Sequence, residues 1–184
     1  MLSLARADAL ERRIEPCDLV ALAQDVTRAA WPTARARQID LGFEPLDESQ
    51  GEVWVMGHAA LLKEALSNLL HNALHHTPLD AKVTVQAGIE TWPGETTAIP
   101  HAVLRVIDNG LGMTDEELAR AGERFFRGRA QTNGSGLGLA IAKAIAQRHG
   151  GHLDLSVGVD DTTAPGLTVT LHWPTSVQGF PMTF

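Results

Sequence analysis

Residues 58–76, HAALLKEALSNLLHNALHH, carry apolar side chains at Leu61, Leu62, Ala65, Leu66, Leu69, Leu70, Ala73 and Leu74. The spacing is that of a helix, and the apolar positions cover most of its circumference. Such a helix has little face to spare for water, so it needs cover on more than one side. That demand excludes a lone surface helix and asks for layers of structure packed around it. The polar remainder is ordered too. Glu64, Asn68 and Asn72 stand at successive steps of four, in one line down the remaining face.

Asparagine is a mediocre helix former, because its amide competes for backbone partners. Two in register on a mostly buried helix point either to a solvated stripe or to a ligand. In the second reading Asn72 presents its carbonyl oxygen to a hard cation such as Mg²⁺, which takes few protein ligands and completes its shell with water and phosphate oxygens. Glu64 would then stand behind it as an outer or base-like carboxylate. His71 and His75, four apart, also permit a zinc reading, for which no third ligand is evident.

Other elements supply the cover. Residues 2–14 read as the tail of a helix striped with Leu2, Ala5, Ala9 and Leu10 and ended by Pro16. Asp18 is placed to cap a second helix bearing Leu19, Val20, Leu22, Ala23, Val26 and Ala30, with Pro32 as a kink or an end. QIDLGFE alternates as a strand does, and EVWVMG reads as its hairpin partner across the polar loop 45–51. AKVTVQAGIE and AVLRVID are two further strands. TDEEL fits a capping box opening a short acidic helix near Thr114, with Glu117 at the third helical position. Residues 122–135 have an irregular pattern. A second long helix starts near Gly136 and stops at Gly150–Gly151, and HLDLSVGV and GLTVTLHW close the order as a hairpin. This order predicts an α+β fold, an α/β sandwich in which helices cover one face of a sheet.

Two glycine clusters carry the chemistry. Asp108 ends an apolar strand and is followed at once by Gly110 and Gly112. A carboxylate there accepts a hydrogen bond from an exocyclic amine such as adenine's, and glycines let a flat ring approach the backbone. A charge-assisted bond of that kind contributes about 1.5–3 kcal/mol. The plainer reading is a DNG turn. Gly134, Gly136 and Gly138 lead straight into a helix, whose free N–H groups and dipole attract phosphate. Here the plainer reading is close packing at a helix entry. The P-loop pattern GxxxxGK[ST] is absent, and no GxGxxG follows the first strand. Between the clusters, RFFRGRAQTNG offers Arg124, Arg127 and Arg129 as phosphate clamps, with Phe125 and Phe126 to pin the segment to the body.

The chain is acidic, with a formal charge of −7 over 184 residues, which disfavours non-specific nucleic-acid binding. It holds no run of about 18 apolar residues, the length a bilayer span requires. Its start lacks the apolar stretch of a signal peptide, and a lone Cys17 excludes an internal disulfide and suits a reducing compartment.

NLLHNALHHTP, DNGLGM, ERFFRG and GSGLGLAIAKAIAQRHGG, in this order, resemble the N, G1, F and G2 boxes of bacterial two-component sensor histidine kinases. In that family the boxes belong to the catalytic ATP-binding domain, a Bergerat-type fold shared with gyrase-, Hsp90- and MutL-type ATPases. The similarity runs over about residues 37–174. It implies the end of a dimerisation and phosphoacceptor helical domain at 1–16, a catalytic ATP-binding domain at 17–174 and a tail at 175–184. ATP and Mg²⁺ are the implied cofactors, with Asn72 as metal ligand and Asn68 its companion. Asp108 would bind the adenine amine beside Gly110, Gly112 and Met113. Gly134, Ser135, Gly136, Leu137, Gly138 and Leu139 would form the phosphate turn, reached by Arg127 or Arg129 from a lid. His75 and His76 stand where the family has a basic and then an aromatic contact to the nucleotide.

The same resemblance makes Glu64, Asn68, Arg127 and Arg129 the catalytic set. They would serve transfer of the γ-phosphoryl of ATP to a histidine of the helical domain, and from there it would pass to a response regulator receiver domain. The family's acceptor histidine precedes an acidic residue, and none of the eight histidines here does. The expectation is a soluble piece of a longer membrane-bound kinase, working on the cytoplasmic side of the bacterial inner membrane. Two other readings stay open: another ATPase or a serine-directed kinase of the same superfold, and a nucleotide-sensing or dimerisation module without catalysis. The helical stub and short lid favour the histidine kinase.

Overall fold

The computed structural model describes residues 14–48, 51–91, 99–123, 136–158 and 166–175. The chain enters through a short strand, β1 (Glu15–Asp18), and turns at once into α1 (Leu19–Ala36). Asp18 makes that turn possible. Its Oδ1 accepts from Val20 N at 2.9 Å, capping the helix, and from Val53 N at 3.3 Å. Pro32 lies on the exposed side of α1, and the helix runs through it to Ala36.

Next come β2 (Asp40–Pro45), β3 (Trp54–Gly57) and α2 (Ala59–His76). The expected hairpin of the two strands does not form. Instead β2 lies parallel to β4 (Lys82–Thr91), while β3 pairs antiparallel with β1 in a separate ribbon. Alternation marked both segments as strands but could not choose their partners. Pro16, expected to end a helix, sits opposite Met56 in this two-stranded ribbon, where every strand is an edge and a missing N–H is tolerated. Residues 2–13 of the expected stub lie outside the described residues.

Antiparallel pairing then joins β4 to β5 (Pro100–Asp108), β5 to β7 (Leu167–Pro174) and β7 to β6 (His152–Val157), in the order β2-β4-β5-β7-β6. Between β5 and β6 come the short α3 (Asp115–Arg120), opened by the expected capping box of Thr114 and Glu117, and α4 (Gly138–Arg148). One sheet face is apolar. Val83, Val85, Ala102, Leu104, Val106, Val169, Leu171 and Trp173 join a single core with Leu22 and Val26 of α1, with Leu62, Leu66, Leu69 and Leu70 of α2, and with Ala142 and Ile145 of α4. The helix whose sequence demanded cover is thus flanked by α1 and α4 and backed by the sheet. The other face carries polar groups, including an Arg105–Glu90 ion pair and a 2.6 Å bond between His172 Nε2 and Asp154.

One ring ties the two longest-range helical neighbours together. His149, just past α4, donates from Nδ1 to Ile145 O at 2.7 Å and accepts at Nε2 from the backbone N–H of His58, which precedes α2, at 3.0 Å. A carbonyl only accepts, so this pair of bonds fixes the tautomer.

Candidate functional site

Asp108 ends β5 with 8% of its surface exposed. Burial pushes its carboxyl above the ordinary range. The backbone N–H groups of Gly110 and Leu167 and the nearby Thr77 hydroxyl pull the other way by favouring the charged form. The bond from Gly110 N measures 2.9 Å. A Cβ added at position 110 would lie 2.9 Å from Asp108 Oδ1, so a side chain there would displace the buried carboxylate. The turn is fixed from both flanks. Asn109 accepts from Lys82 N at 2.8 Å through its Oδ1 and donates its own N–H to Lys82 O, and Gly110 O accepts from Gly166 N at 3.0 Å. What remains is an ionisable carboxylate, rigidly held, with bare backbone beside it. Gly112 (φ +66°) continues the turn, and Met113 packs against the core beyond it.

The other glycine cluster faces the asparagine line. Gly136 has φ +65°, a left-handed conformation that leads the chain into α4. Among the described residues no side chain caps α4, whose Ncap position is Leu137, and the first N–H groups of a helix have no intrahelical partner. A Cβ at Gly138 would stand 3.6 Å from Asn68 O and 3.8 Å from Asn68 Oδ1, so the start of α4 approaches α2 at Asn68. Asn68 donates from Nδ2 to Glu64 O at 3.0 Å, which fixes its amide. Asn72 is half-buried one turn further on, Glu64 is exposed, and Leu139 is buried under the turn.

His75 is turned along its own helix: Nδ1 donates to His71 O at 2.9 Å, and the two rings stack with centroids 3.9 Å apart. Burial and the neighbouring His75 lower the pKa of His71. His76 is exposed at the helix end. Among the described residues no group of three or more His, Cys, Asp or Glu is placed to hold a metal, which leaves the zinc reading without support. Arg127, Arg129, Gly134 and Ser135 lie outside the described residues, as do Arg124, Phe125 and Phe126. The sequence reading missed Thr77. It looked like the residue after a helix, before a proline, and its only signal was a polar type at a helix end.

The family model described as histidine kinase-, DNA gyrase B- and HSP90-like ATPase matches residues 57–177. The chain belongs to this family. Its curated relatives include a sensor protein kinase, PmrB, of Pseudomonas aeruginosa, 37% identical over 95% of this chain and 34% of that protein. A probable sensor histidine kinase, TcrY, of Mycobacterium tuberculosis is 36% identical over 91% of this chain and 32% of its own length. The chain therefore spans about a third of the relatives it matches. Among solved structures, the mycobacterial sensor histidine kinase MprB superposes with a TM-score of 0.68 at 28% identity, over 88% of this chain and 97% of that one. Nucleotide-free catalytic domains of the histidine kinase ThkA reach 0.69 at 21% identity, a likeness of fold. The α+β expectation and the family resemblance are both borne out. No helix among the described residues is long and apolar enough to cross a membrane.

Proposed function

We propose that this chain is the ATP-binding catalytic domain of a longer sensor histidine kinase. The observation that carries this reading is the meeting of Gly138 with Asn68, which sets the uncapped start of α4 against the asparagine line of α2. Asp108, at the end of β5, offers its carboxylate to an adenine amine. Phosphoryl transfer asks a protein chiefly for positioning and charge neutralisation. Here the N–H groups at Gly136–Gly138 hold phosphate oxygens, and the resemblance assigns the added positive charge to Arg127 or Arg129.

Asn72 suits Mg²⁺: an amide oxygen is a hard donor, and a single one fits an ion that keeps water and phosphate oxygens in its shell. Such an ion supplies charge neutralisation at the phosphates. Asn68, fixed by its bond to Glu64 O, orients the groove wall, and Glu64 stands where it could align an incoming imidazole. The acceptor histidine lies on a helical domain of the same full-length protein, whose boundary with this domain falls before β1 (Glu15–Asp18) rather than at residue 16, and the phosphoryl then passes to a response regulator receiver domain. A membrane-bound parent with this domain on its cytoplasmic side follows from the same reading.

The test supplies the helical domain of a relative in trans with radiolabelled ATP. Acid-labile, base-stable label on that domain is the expected result. Tight ATP binding with no transfer to any helical partner would favour a nucleotide-sensing module.

A further inference from the structure

α2 and α4 pack side by side, and the start of one meets the end of the other at a pair of imidazoles. His58 N donates to His149 Nε2 at 3.0 Å, and His149 Nδ1 donates to Ile145 O at 2.7 Å. The two rings lie edge to face with centroids 5.6 Å apart. His58 is 7% exposed, and its own Nδ1 is enclosed with no hydrogen-bond partner among the described residues. Gly57 closes the place from β3: a Cβ there would stand 3.1 Å from His149 Cδ2. On β1, Glu15 is exposed opposite Gly57, and Asp18 is engaged in capping α1. Cys17 Sγ lies 3.5 Å from Gly57 O, and burial raises its pKa, so the thiol stays neutral. Lys63 of α2 pairs with Asp25, Lys143 of α4 lies over Gly122, and Arg148 precedes His149 in the last turn of α4. His152, at the start of β6, stacks instead on His172.

The bond from His58 exists only while His149 Nε2 keeps its lone pair. With the Nδ1 hydrogen committed to Ile145 O, a proton taken up by His149 goes to Nε2 and sets one N–H against another. The end of α4 draws the other way, because the carbonyl end of a helix favours a positive ring. The two demands oppose each other, and the proton decides between them. We propose that His58 and His149 form an acid-sensitive latch between α2 and α4, closed while His149 is neutral and opened when it takes up a proton. The ring of His58 adds a second titratable group at the same point, and a charge on either disfavours a charge on the other. The effect reaches along both helices. Asn68 follows His58, and Gly138 precedes His149, by about three turns. There a Cβ on Gly138 would stand 3.6 Å from Asn68 O, so opening the latch alters the spacing between the asparagine line and the start of α4.

The test needs no nucleotide, so its outcome is independent of the ATP reading. Nuclear magnetic resonance of the full chain first reports the ring nitrogens, and at about pH 8 His149 is expected as the tautomer that carries hydrogen on Nδ1. Acidification to about pH 5 spans the range in which histidines take up protons. Over it the amide protection of His58 should fall about ten-fold more than that of Val26 in α1, the size of one hydrogen bond. The Gly138 amide shift should follow the titration of the His149 ring. His149→Gln places an amide oxygen near the position of Nε2 but takes up no proton, so it should keep the His58 bond and abolish both responses. A general loss of stability through other histidines such as His172 would lower protection at His58 and Val26 alike. Hydrogen on Nε2 in the wild type at about pH 8 overturns the proposal without recourse to any variant. So does a His58 amide that merely tracks Val26, a response that survives in His149→Gln, or a Gly138 amide indifferent to the state of His149.

Discussion

Asp108 illustrates a conflict at the scale of one residue between stability and recognition. Its carboxyl is buried, and its raised pKa means that the folded chain favours the protonated form more than the unfolded chain does. Stability from that difference is fully present below the unfolded value and is lost as pH rises through the folded one. At neutral pH the ionised group is a cost to folding, yet the proposed bond to an adenine amine needs it ionised. Asp108→Asn is therefore expected to melt at or above the wild-type temperature while losing at least ten-fold in ATP affinity. Calorimetric melting and titration on the same samples check both halves. ATP affinity should also begin to fall on acidification at a higher pH than an ordinary aspartate would give. Asn72 carries a different expectation: Asn72→Ala should bind ATP with little response to Mg²⁺, and a variant whose affinity still rises with Mg²⁺ would contradict the assignment of that ligand.

Among the elements, α2 was legible almost to its ends, because eight apolar residues at helical spacing leave no other conformation that buries them. The caps at Asp18 and Thr114 were legible for a local reason, since each depends on residues two or three positions away. Strand partners were not. Register across a sheet is settled by which apolar faces meet in three dimensions, and β2 and β3 are so close in sequence that a hairpin looked the cheaper closure. Within the site, Asp108 and its glycines could be read, because turn chemistry is written in adjacent residues. The place of Thr77 beside Asp108 could not be, because its neighbours Arg37, Asp108 and Gly110 are far from it in sequence.

Two predictions belong to the elements. Asp18→Ala removes the cap of α1 and the acceptor for Val53 N together, and should cost about 1–2 kcal/mol in denaturant unfolding. His172 on β7 is held below the ordinary histidine pKa, chiefly by burial, against the pull of Asp154. The unfolded chain thus takes up its proton first, and the stability from the neutral ring is lost as pH falls below about 6.5 towards the folded value. His172→Gln should flatten the decline in melting temperature between pH 7 and pH 5.

At the scale of the whole molecule, one continuous core joins the sheet to α1, α2 and α4, so a ligand bound at the groove stabilises the fold as a unit. ATP at a hundred times its dissociation constant should add about 2.7 kcal/mol and raise the melting temperature by roughly 5–10 °C. GTP at the same concentration should raise it far less, and a thermal-shift series with both nucleotides, with and without Mg²⁺, measures the difference. The imidazole of His149 bears on how such binding is felt. With one nitrogen spent on the end of α4 and the other on the residue that launches α2, the ring works like a rivet at the far end of two beams. The ring resists their scissoring apart, so on the proposed reading a triphosphate arriving at their other ends would find the spacing between the asparagine line of α2 and the start of α4 already set.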